Sequence, residues 1–185
     1  EYVFLANIDP DLQSHVLSQI HRPKLVVLDT MNFWIDGKLE SLKKIISQVN
    51  ILLINETEAR ELSGESNLLR ASRAIRKMGP EIVVIKRGEY GAMLDHAGKI
   101  FMVPAFPLDY VKDPTGAGDT FAGGFLGFLV KSQDPYDHAT LRKAMAYGTV
   151  MAAFNVQDFS FNRLTEISWS DIENRYRELL AIMSF

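Results

Sequence analysis

The sequence has no cysteine, no long hydrophobic run and no marked excess of charge of either sign, and each absence excludes a class of protein. Without cysteine, disulfides and thiolate metal sites are ruled out, which fits a cytoplasmic location. The longest apolar stretch, at residues 121–130, contains three glycines and is shorter than the roughly 20 residues of a membrane span. A formal net charge of −3 gives no electrostatic reason to expect a nucleic acid or a membrane as a partner.

Metal-ligand spacing is also lacking among the histidines, so we interpret all four as surface or loop residues: His15, His21, His96 and His138. The sequence begins without a methionine or a polar leader and enters a β-rich stretch at Tyr2. This beginning favours a piece of a longer protein.

The chain of 185 residues is long enough for one well-buried α/β domain and too short for two ordinary ones. Its composition, 47% hydrophobic and 23% charged, is typical of a globular protein. We find no internal repeat, low-complexity tract or linker. The sequence therefore predicts a single domain over residues 1–185.

Short apolar runs rich in valine, isoleucine and leucine alternate with helical segments. The pattern predicts strands at residues 2–5, 25–28, 51–54, 82–85, 92–94 and 100–103. It predicts helices at residues 11–20, 39–48, 56–63, 68–78, 118–131, 139–154 and 169–182.

Continuous apolar runs such as 25–28 and 51–54 are typical of parallel strands buried on both faces. The strands at 92–94 and 100–103 are joined by only five residues and favour a hairpin. Together these signals predict an α/β fold with a mainly parallel, partly mixed sheet and helices on both faces.

Polar residues follow three of the predicted strands directly, at residues 29–32, 55–58 and 86–88. Ligands of open α/β sheets bind beyond the carboxyl ends of the strands. Three separate segments therefore indicate a ligand site at the same edge of the sheet.

The most specific motif spans residues 113–125, which read DPTGAGDTFAGGF. Its small residues allow a tight turn before a helix, and the first N–H groups of that helix lack partners. The turn and the positive end of the helix dipole would form an anion hole beside Asp119. Phosphoryl transfer to an alcohol needs this combination, whereas a plain glycine-rich turn with Asp119 as a helix cap remains the alternative for the short motif alone.

The whole string resembles the second signature of the ribokinase/PfkB family of sugar kinases, and the resemblance extends over nearly the whole chain. It implies a ribokinase-like three-layer α/β/α fold. It implies that Asp119 is the catalytic base and that the backbone of Gly116, Ala117 and Gly118 stabilises the migrating phosphoryl group. ATP and Mg²⁺ are the implied cofactors, and the activity is phosphorylation of a hydroxyl of a sugar or sugar-like alcohol.

Asn55 and Glu58 have the spacing of a capping box at the start of a helix. The resemblance adds a second role, because the matching residues of the family organise Mg²⁺ through its waters. Mg²⁺ keeps several waters in protein sites, which suits an outer-sphere arrangement.

Further nucleotide contacts are implied by the resemblance alone. Lys86, Gly88 and Gly91 match a strand end and a turn that meet the ATP phosphates, although many relatives have threonine in place of Lys86. Asp29 and Asn32 match an Asp-x-Asn element near the phosphates, here in an unusual form.

Two other matches concern the adenine of ATP and a monovalent cation. Tyr147 matches a helical position near the adenine, and a buried tyrosine in a helix is otherwise a core residue. Asp113 and Thr115 match part of a monovalent-cation site, but residues 155–161 depart from its usual pattern, which leaves potassium dependence open.

Members of the family are longer at their amino-terminal end, where they carry most sugar-binding residues and a β-sheet lid. We therefore expect the chain to be the carboxy-terminal two-thirds of such a kinase, with the amino-terminal part and the lid missing. Such a fragment would bind nucleotide and lack activity by itself. Dimers often form through the lid, so a homo-oligomer is left open.

Three other functions are alternatives to a sugar kinase. A nucleoside or vitamin-precursor kinase of the same superfamily differs mainly in substrate-binding residues that this chain does not include. A non-catalytic nucleotide-binding fragment is opposed by the intact motif around Asp119. A dinucleotide-binding dehydrogenase is disfavoured, because no Gly-x-Gly-x-x-Gly follows the first strand.

Overall fold

Six β-strands form one sheet in the computed structural model, which describes residues 1–132 and 134–184. The strands are β1 (Tyr2–Leu5), β2 (Leu25–Asp29), β3 (Ile51–Asn55), β4 (Ile82–Lys86), β5 (Ala92–His96) and β6 (Lys99–Val103). Their order in the sheet is the order in the sequence. All six predicted strands are therefore confirmed, within a few residues at their ends.

The first four strands run parallel, with Leu28 opposite Leu52 and Asn55 opposite Lys86. β5 and β6 are joined by Ala97 and Gly98 alone, both with positive φ, which is the geometry of a tight hairpin. The predicted hairpin is confirmed, and its turn is shorter than the sequence suggested. The sheet is therefore mixed, as expected.

Nine α-helices lie within the described residues. They are α1 (Pro10–Ser18), α2 (Asn32–Gly37), α3 (Leu39–Ile46), α4 (Glu56–Ser63), α5 (Leu68–Arg76), α6 (Ala117–Lys131), α7 (His138–Asn155), α8 (Asn162–Glu166) and α9 (Trp169–Met183). The seven predicted helices are confirmed. The sequence reading missed α2 and α8, because helices of five or six residues are too short to display an apolar periodicity.

Contacts between Cα atoms divide the chain into two compact units. The sheet unit contains Glu1–Arg87 and Met93–Phe101, and the helical unit contains Gly88–Ala92 and the chain from Met102 onward. The prediction of a single domain over residues 1–185 stays a prediction.

The core of the sheet unit is built from alternate residues of the parallel strands and from the apolar faces of α3, α4 and α5. Every residue of β2 is buried, which is why its sequence is apolar throughout and not alternating. The charged end of that strand, Asp29, is buried with it and needs a partner of opposite charge.

In the helical unit α6 and α7 pack at unusually close range. A Cβ on Gly124 would lie 2.7 Å from Cγ of Met151 and 2.8 Å from the carbonyl oxygen of Tyr147, so only glycine fits there. The middle of α6 therefore packs directly on the backbone and side chains of α7.

No helix within the described ranges, 1–132 and 134–184, is long and apolar enough to cross a membrane.

Candidate active site

Three polar residues end neighbouring parallel strands of the sheet unit. Asp29 is the last residue of β2, Asn55 the last of β3 and Lys86 the last of β4. Since parallel strands present their carboxyl ends at one edge, the structure brings together the three clusters that the sequence indicated.

Lys86 and Asp29 form a bidentate ion pair, which the sequence reading did not foresee. The ammonium of Lys86 lies 3.0 Å from Oδ1 and 2.9 Å from Oδ2 of Asp29. The side chains are 16% and 3% exposed, so the pair is shielded from water. The backbone N–H of Thr30 donates to Oδ1 at 2.9 Å. The two residues stand 57 positions apart, and no local pattern could have revealed their contact.

The predicted capping box at α4 is confirmed. The backbone N–H of Glu58 donates to Oδ1 of Asn55, and the backbone N–H of Asn55 donates to Oε2 of Glu58, both at 2.9 Å. The side-chain amide of Asn55 also donates to Oε1 of Glu58. Both oxygens of the carboxylate are therefore engaged by one asparagine.

Burial raises the pKa of Glu58, while the Asn55 N–H and the charge of Lys86 oppose that rise. Each carboxylate oxygen accepts one hydrogen bond from Asn55 and keeps a second lone pair for a water molecule. Within residues 1–132 and 134–184 there is no cluster of three or more His, Asp or Glu that could cage a metal. A single carboxylate beside an amide fits an ion held mainly by water, as Mg²⁺ is. The role of Asn55 and Glu58 in Mg²⁺ binding stays a prediction.

The basic turn after β4 is tied to the same helix. Nε of Arg87 lies 3.2 Å from Oε2 of Glu56, and Arg60 binds the other oxygen of Glu56 at 2.7 Å. The pKa of Glu56 is lowered, first by Arg60 and then by Arg87. Arg87 is thus part of an ion-pair network and not simply a solvated charge.

Gly88 and Gly91 both have a positive φ, but only Gly91 lies where a side chain would clash with its neighbours. Gly91 has φ of 87°, and a Cβ there would lie 2.0 Å from the carbonyl oxygen of Val103, so close backbone packing demands glycine. Gly88 also has a positive φ, of 56°, but its missing side chain faces open space. Nucleotide contacts of both residues stay predictions, and Gly91 has a structural reason of its own.

The predicted anion hole lies at the start of α6, in the helical unit. Gly116 takes the left-handed conformation, with φ of 79°, and no side chain caps the helix there. The Thr120 N–H closes the first turn on the Gly116 carbonyl at 2.9 Å. The Ala117 N–H donates to the Pro114 carbonyl at 3.2 Å, so it already has an acceptor. The N–H groups of Gly118 and Asp119 precede the Thr120 bond and have no acceptor within an α-helix. Stabilisation of a phosphoryl group by Gly116, Ala117 and Gly118 stays a prediction.

Asp119 is the third residue of α6, and its side chain is exposed. A carboxylate on the first turn of a helix is stabilised by the helix dipole. The structure therefore provides what the motif predicted here: an uncapped helix start with a carboxylate on its first turn. The catalytic role of Asp119 stays a prediction.

The segment before α6 is fastened to the end of α7. The backbone N–H groups of Lys112 and Asp113 donate to the carbonyl oxygen of Val156 at 2.8 and 3.3 Å. The side chain of Lys112 forms an ion pair with Asp158. Asp113 accepts from the Thr115 N–H at 2.9 Å, and that bond lowers the pKa of Asp113. A monovalent cation at Asp113 and Thr115 stays a prediction.

Tyr147 lies in an aromatic cluster of α6, α7 and α9. Its ring stacks on Phe128 at 4.7 Å and on Tyr176 at 4.5 Å between centroids, and its hydroxyl donates to Glu173. Burial, and then the bond to Glu173, raise the pKa of Tyr147. The ring thus has a core role, and its predicted contact with adenine stays a prediction.

Asn32 begins α2 and is exposed, whereas Asp29 of the same Asp-x-x-Asn segment is buried. The structure does not bring Asn32 into the Lys86–Asp29 pair. Its proximity to a phosphate stays a prediction.

The sequence analysis named residue 155 only as part of the segment that departs from the cation-site pattern and gave its side chain no role. Asn155 is the last residue of α7 and is 3% exposed. Its side chain donates to the carbonyl oxygen of Thr115 at 2.8 Å and accepts from the hydroxyl of Thr120 at 3.1 Å. The only local signal was an amide at the end of a helix whose other buried residues are mainly apolar.

Most of the chain is similar to proteins of one known family. Residues 14–166 match the family described as pfkB family carbohydrate kinase. A cytidine kinase of Thermococcus kodakarensis is 35% identical over 127 residues, which cover 66% of this chain and 45% of that protein. The chain spans about half the length of the curated relatives it matches, or less.

Solved structures share the fold. The nucleoside kinase of Methanocaldococcus jannaschii, an archaeal member of the ribokinase family, superposes with a TM-score of 0.78 at 24% identity, over 96% of this chain and 56% of that one. The fructokinase of Vibrio cholerae O395, solved with fructose, ADP and calcium, gives 0.81 at 19% identity, over 95% of this chain and 60% of that one. The predicted ribokinase-like α/β fold is confirmed.

Proposed function

The chain belongs to the pfkB family of carbohydrate kinases, and from that premise we propose that the intact protein transfers the γ-phosphoryl group of ATP to a hydroxyl of a sugar or sugar-like alcohol. The observation that carries the proposal is the uncapped start of α6, with left-handed Gly116 before it and Asp119 on its first turn. An anion hole and a carboxylate within four residues suit phosphoryl transfer better than nucleotide binding alone.

In the helical unit, Asp119 accepts the proton of the acceptor hydroxyl as its oxygen attacks the γ-phosphorus. The bond between that phosphorus and the bridging oxygen breaks, and ADP leaves. The N–H groups of Gly116 and Gly118 stabilise the negative charge of the migrating group through hydrogen bonds and the helix dipole. The Ala117 N–H is bonded to the Pro114 carbonyl instead. Because the transition state is loose, the proton leaves late and a weak base such as a carboxylate is sufficient.

In the sheet unit, Asn55 and Glu58 would hold Mg²⁺ through its water ligands, and the bound ion would neutralise negative charge on the nucleotide phosphates. Lys86 directs two of its contacts to Asp29 and has three N–H donors, so at least one is left for a phosphate oxygen. On this proposal Asp29 orients Lys86 instead of touching the nucleotide.

A nucleoside is the second candidate acceptor. The cytidine kinase of Thermococcus kodakarensis is 35% identical to this chain, and the nucleoside kinase of Methanocaldococcus jannaschii shares its fold. The hydroxyl of a ribose ring demands the same chemistry from Asp119 as that of a free sugar, so the site described here suits both.

The direct test is a transfer assay with γ-labelled ATP, the intact protein and a panel of pentoses, hexoses and nucleosides. We expect one class of acceptor to be labelled and ADP to appear in equal amount. Labelling of nucleosides alone would select the second candidate. Binding of ATP without transfer to any acceptor would contradict both and leave a nucleotide-binding protein.

Replacing Glu58 by glutamine tests the metal role. We expect the Mg²⁺ concentration for half-maximal activity to rise by about 10-fold or more, since outer partners of a metal contribute that much to affinity. Glutamine keeps one bond of the capping box and places an NH₂ against a donor of Asn55, so we also expect a stability cost of about 1 kcal/mol.

The chain contains a matched control in the capping box of α9. Asp171 accepts from the Ser168 N–H at 2.8 Å, as Glu58 does from Asn55. Asp171→Asn removes the carboxylate charge of a capping box outside the candidate site and should leave the Mg²⁺ titration unchanged. An unaltered Mg²⁺ titration in the Glu58→Gln protein would leave Glu58 as a helix cap only.

A further inference from the structure

Asn155 uses both ends of its side-chain amide on the segment that forms the predicted anion hole. Nδ2 donates to the carbonyl oxygen of Thr115 at 2.8 Å, and Oδ1 accepts from Oγ1 of Thr120 at 3.1 Å. Thr115 directly precedes Gly116, and Thr120 directly follows Asp119. One buried amide therefore binds both flanks of the turn at residues 116–119.

The amide also lies directly behind the turn. A Cβ placed on Gly116 would be 3.6 Å from Nδ2 and 3.8 Å from Oδ1 of Asn155. The next residue, Val156, accepts the backbone N–H groups of Lys112 and Asp113. The end of α7 thus holds the whole segment from residue 112 to 120.

The hydrogen bond from Asn155 to Thr115 also fixes the direction of the Gly116 N–H. A trans peptide is planar, so its carbonyl and its N–H point in opposite directions. Because the Thr115 carbonyl is held against Asn155, the N–H of Gly116 in the same peptide must point away from Asn155. Glycine can adopt several backbone conformations, and Gly116 adopts the left-handed one. The hydrogen bond from Asn155 to the Thr115 carbonyl favours one orientation of the preceding peptide.

We propose that Asn155 is a positioning residue for phosphoryl transfer: it fixes the Thr115–Gly116 peptide so that the Gly116 N–H faces the migrating phosphoryl group. The inference rests on the proposed function and deepens it. Its effect is on the transition state, since the amide stabilises charge that grows during transfer. Loss of Asn155 should therefore lower kcat and leave the KM for ATP nearly unchanged.

Asn155→Asp is the sharpest variant in the intact protein. The carboxylate still accepts from Thr120 but cannot donate to Thr115, and it repels the Thr115 carbonyl. We expect kcat to fall by about 10–100-fold, as expected for a small misplacement of reacting groups. Asn155→Leu removes both bonds at similar size and replaces the aspartate variant if that protein does not fold.

Two controls separate positioning from general damage. Thr149→Val removes a buried hydroxyl of α7 that, within residues 1–132 and 134–184, bonds only to the Met145 carbonyl of its own helix at 3.0 Å. This variant should leave kcat unchanged. Thr120→Val removes the second bond of Asn155 and should lower kcat less than Asn155→Asp does.

The second readout is inhibition by ADP with aluminium fluoride, which mimics the migrating phosphoryl group. Asn155→Asp should weaken this inhibition by about the same factor as kcat, since analogues follow transition-state affinity, while ADP alone binds as before. Unchanged kcat and inhibition in a folded variant would overturn the positioning role. A wild-type protein that phosphorylates no acceptor would instead overturn the proposed function.

Discussion

Replacing Asp119 by asparagine should reduce the kcat of the intact protein by about 10²–10⁴-fold, the usual contribution of a general base. Asparagine has the same shape and keeps the first turn of α6, but it cannot accept the proton of the acceptor hydroxyl. ATP binding, measured by calorimetry, should be nearly normal because Asp119 is exposed and the amides of the turn remain. Single-turnover assays would isolate the chemical step.

Asp109→Asn is the matched control for this prediction. Asp109 is an exposed aspartate of the same unit, outside the motif, so its replacement removes one negative charge without touching α6. It should leave kcat unchanged. An Asp119→Asn protein that keeps more than a tenth of wild-type turnover, with chemistry rate-limiting, would refute the assignment of Asp119 as the base.

Lys86→Met, at the carboxyl edge of the sheet, should destabilise the protein strongly. It leaves the carboxylate of Asp29, which is 3% exposed, without the ammonium that binds both of its oxygens. Removing one partner of a buried ion pair costs about 3–5 kcal/mol, because the remaining charge stays buried. Urea unfolding of the variant and the wild type would measure the difference.

Two variants test the cause of that loss. Asp29→Asn combined with Lys86→Met removes both charges and should recover most of the stability, because the penalty comes from a buried negative charge that has lost its ammonium partner. Lys43→Met breaks an exposed pair with Glu40, whose side chain is 89% exposed, and should cost about 1 kcal/mol at most. Equal losses for the single and double variants would show that Lys86 contributes packing and not charge.

Much of the candidate site could be predicted because its interactions are local. Asn55 and Glu58 are three residues apart, and the capping box they form requires only that a helix begin there. The turn at residues 116–119 was likewise evident from its own small residues and the helix after them. Alternation of apolar runs also predicted the mixed sheet and seven of the described helices.

Other features could not be predicted, because they depend on residues that are distant in the sequence. Lys86 could be placed at a strand end, but its pairing with Asp29 depends on β2 and β4 lying in one sheet. Gly91 was read as a nucleotide contact, whereas close packing on Val103 gives it a separate structural reason. Tyr147 could have faced a ligand or the core, and only the packing of α9 shows that its ring stacks on Tyr176.

By itself the sequence determined the order of the elements, the cap of α4 and the glycine turn before α6, because each follows from contacts within a few residues. The tertiary structure alone decided which carboxylate pairs with Lys86 and which carbonyl accepts a hydrogen bond from Asn155. Such choices depend on the packing of α6 against α7 and on strand neighbours in the sheet. Buried amide and ammonium groups need hydrogen-bond partners, and the fold decides which residues are near enough to serve. For Asn155 that partner is the carbonyl of Thr115, 40 residues away in the sequence.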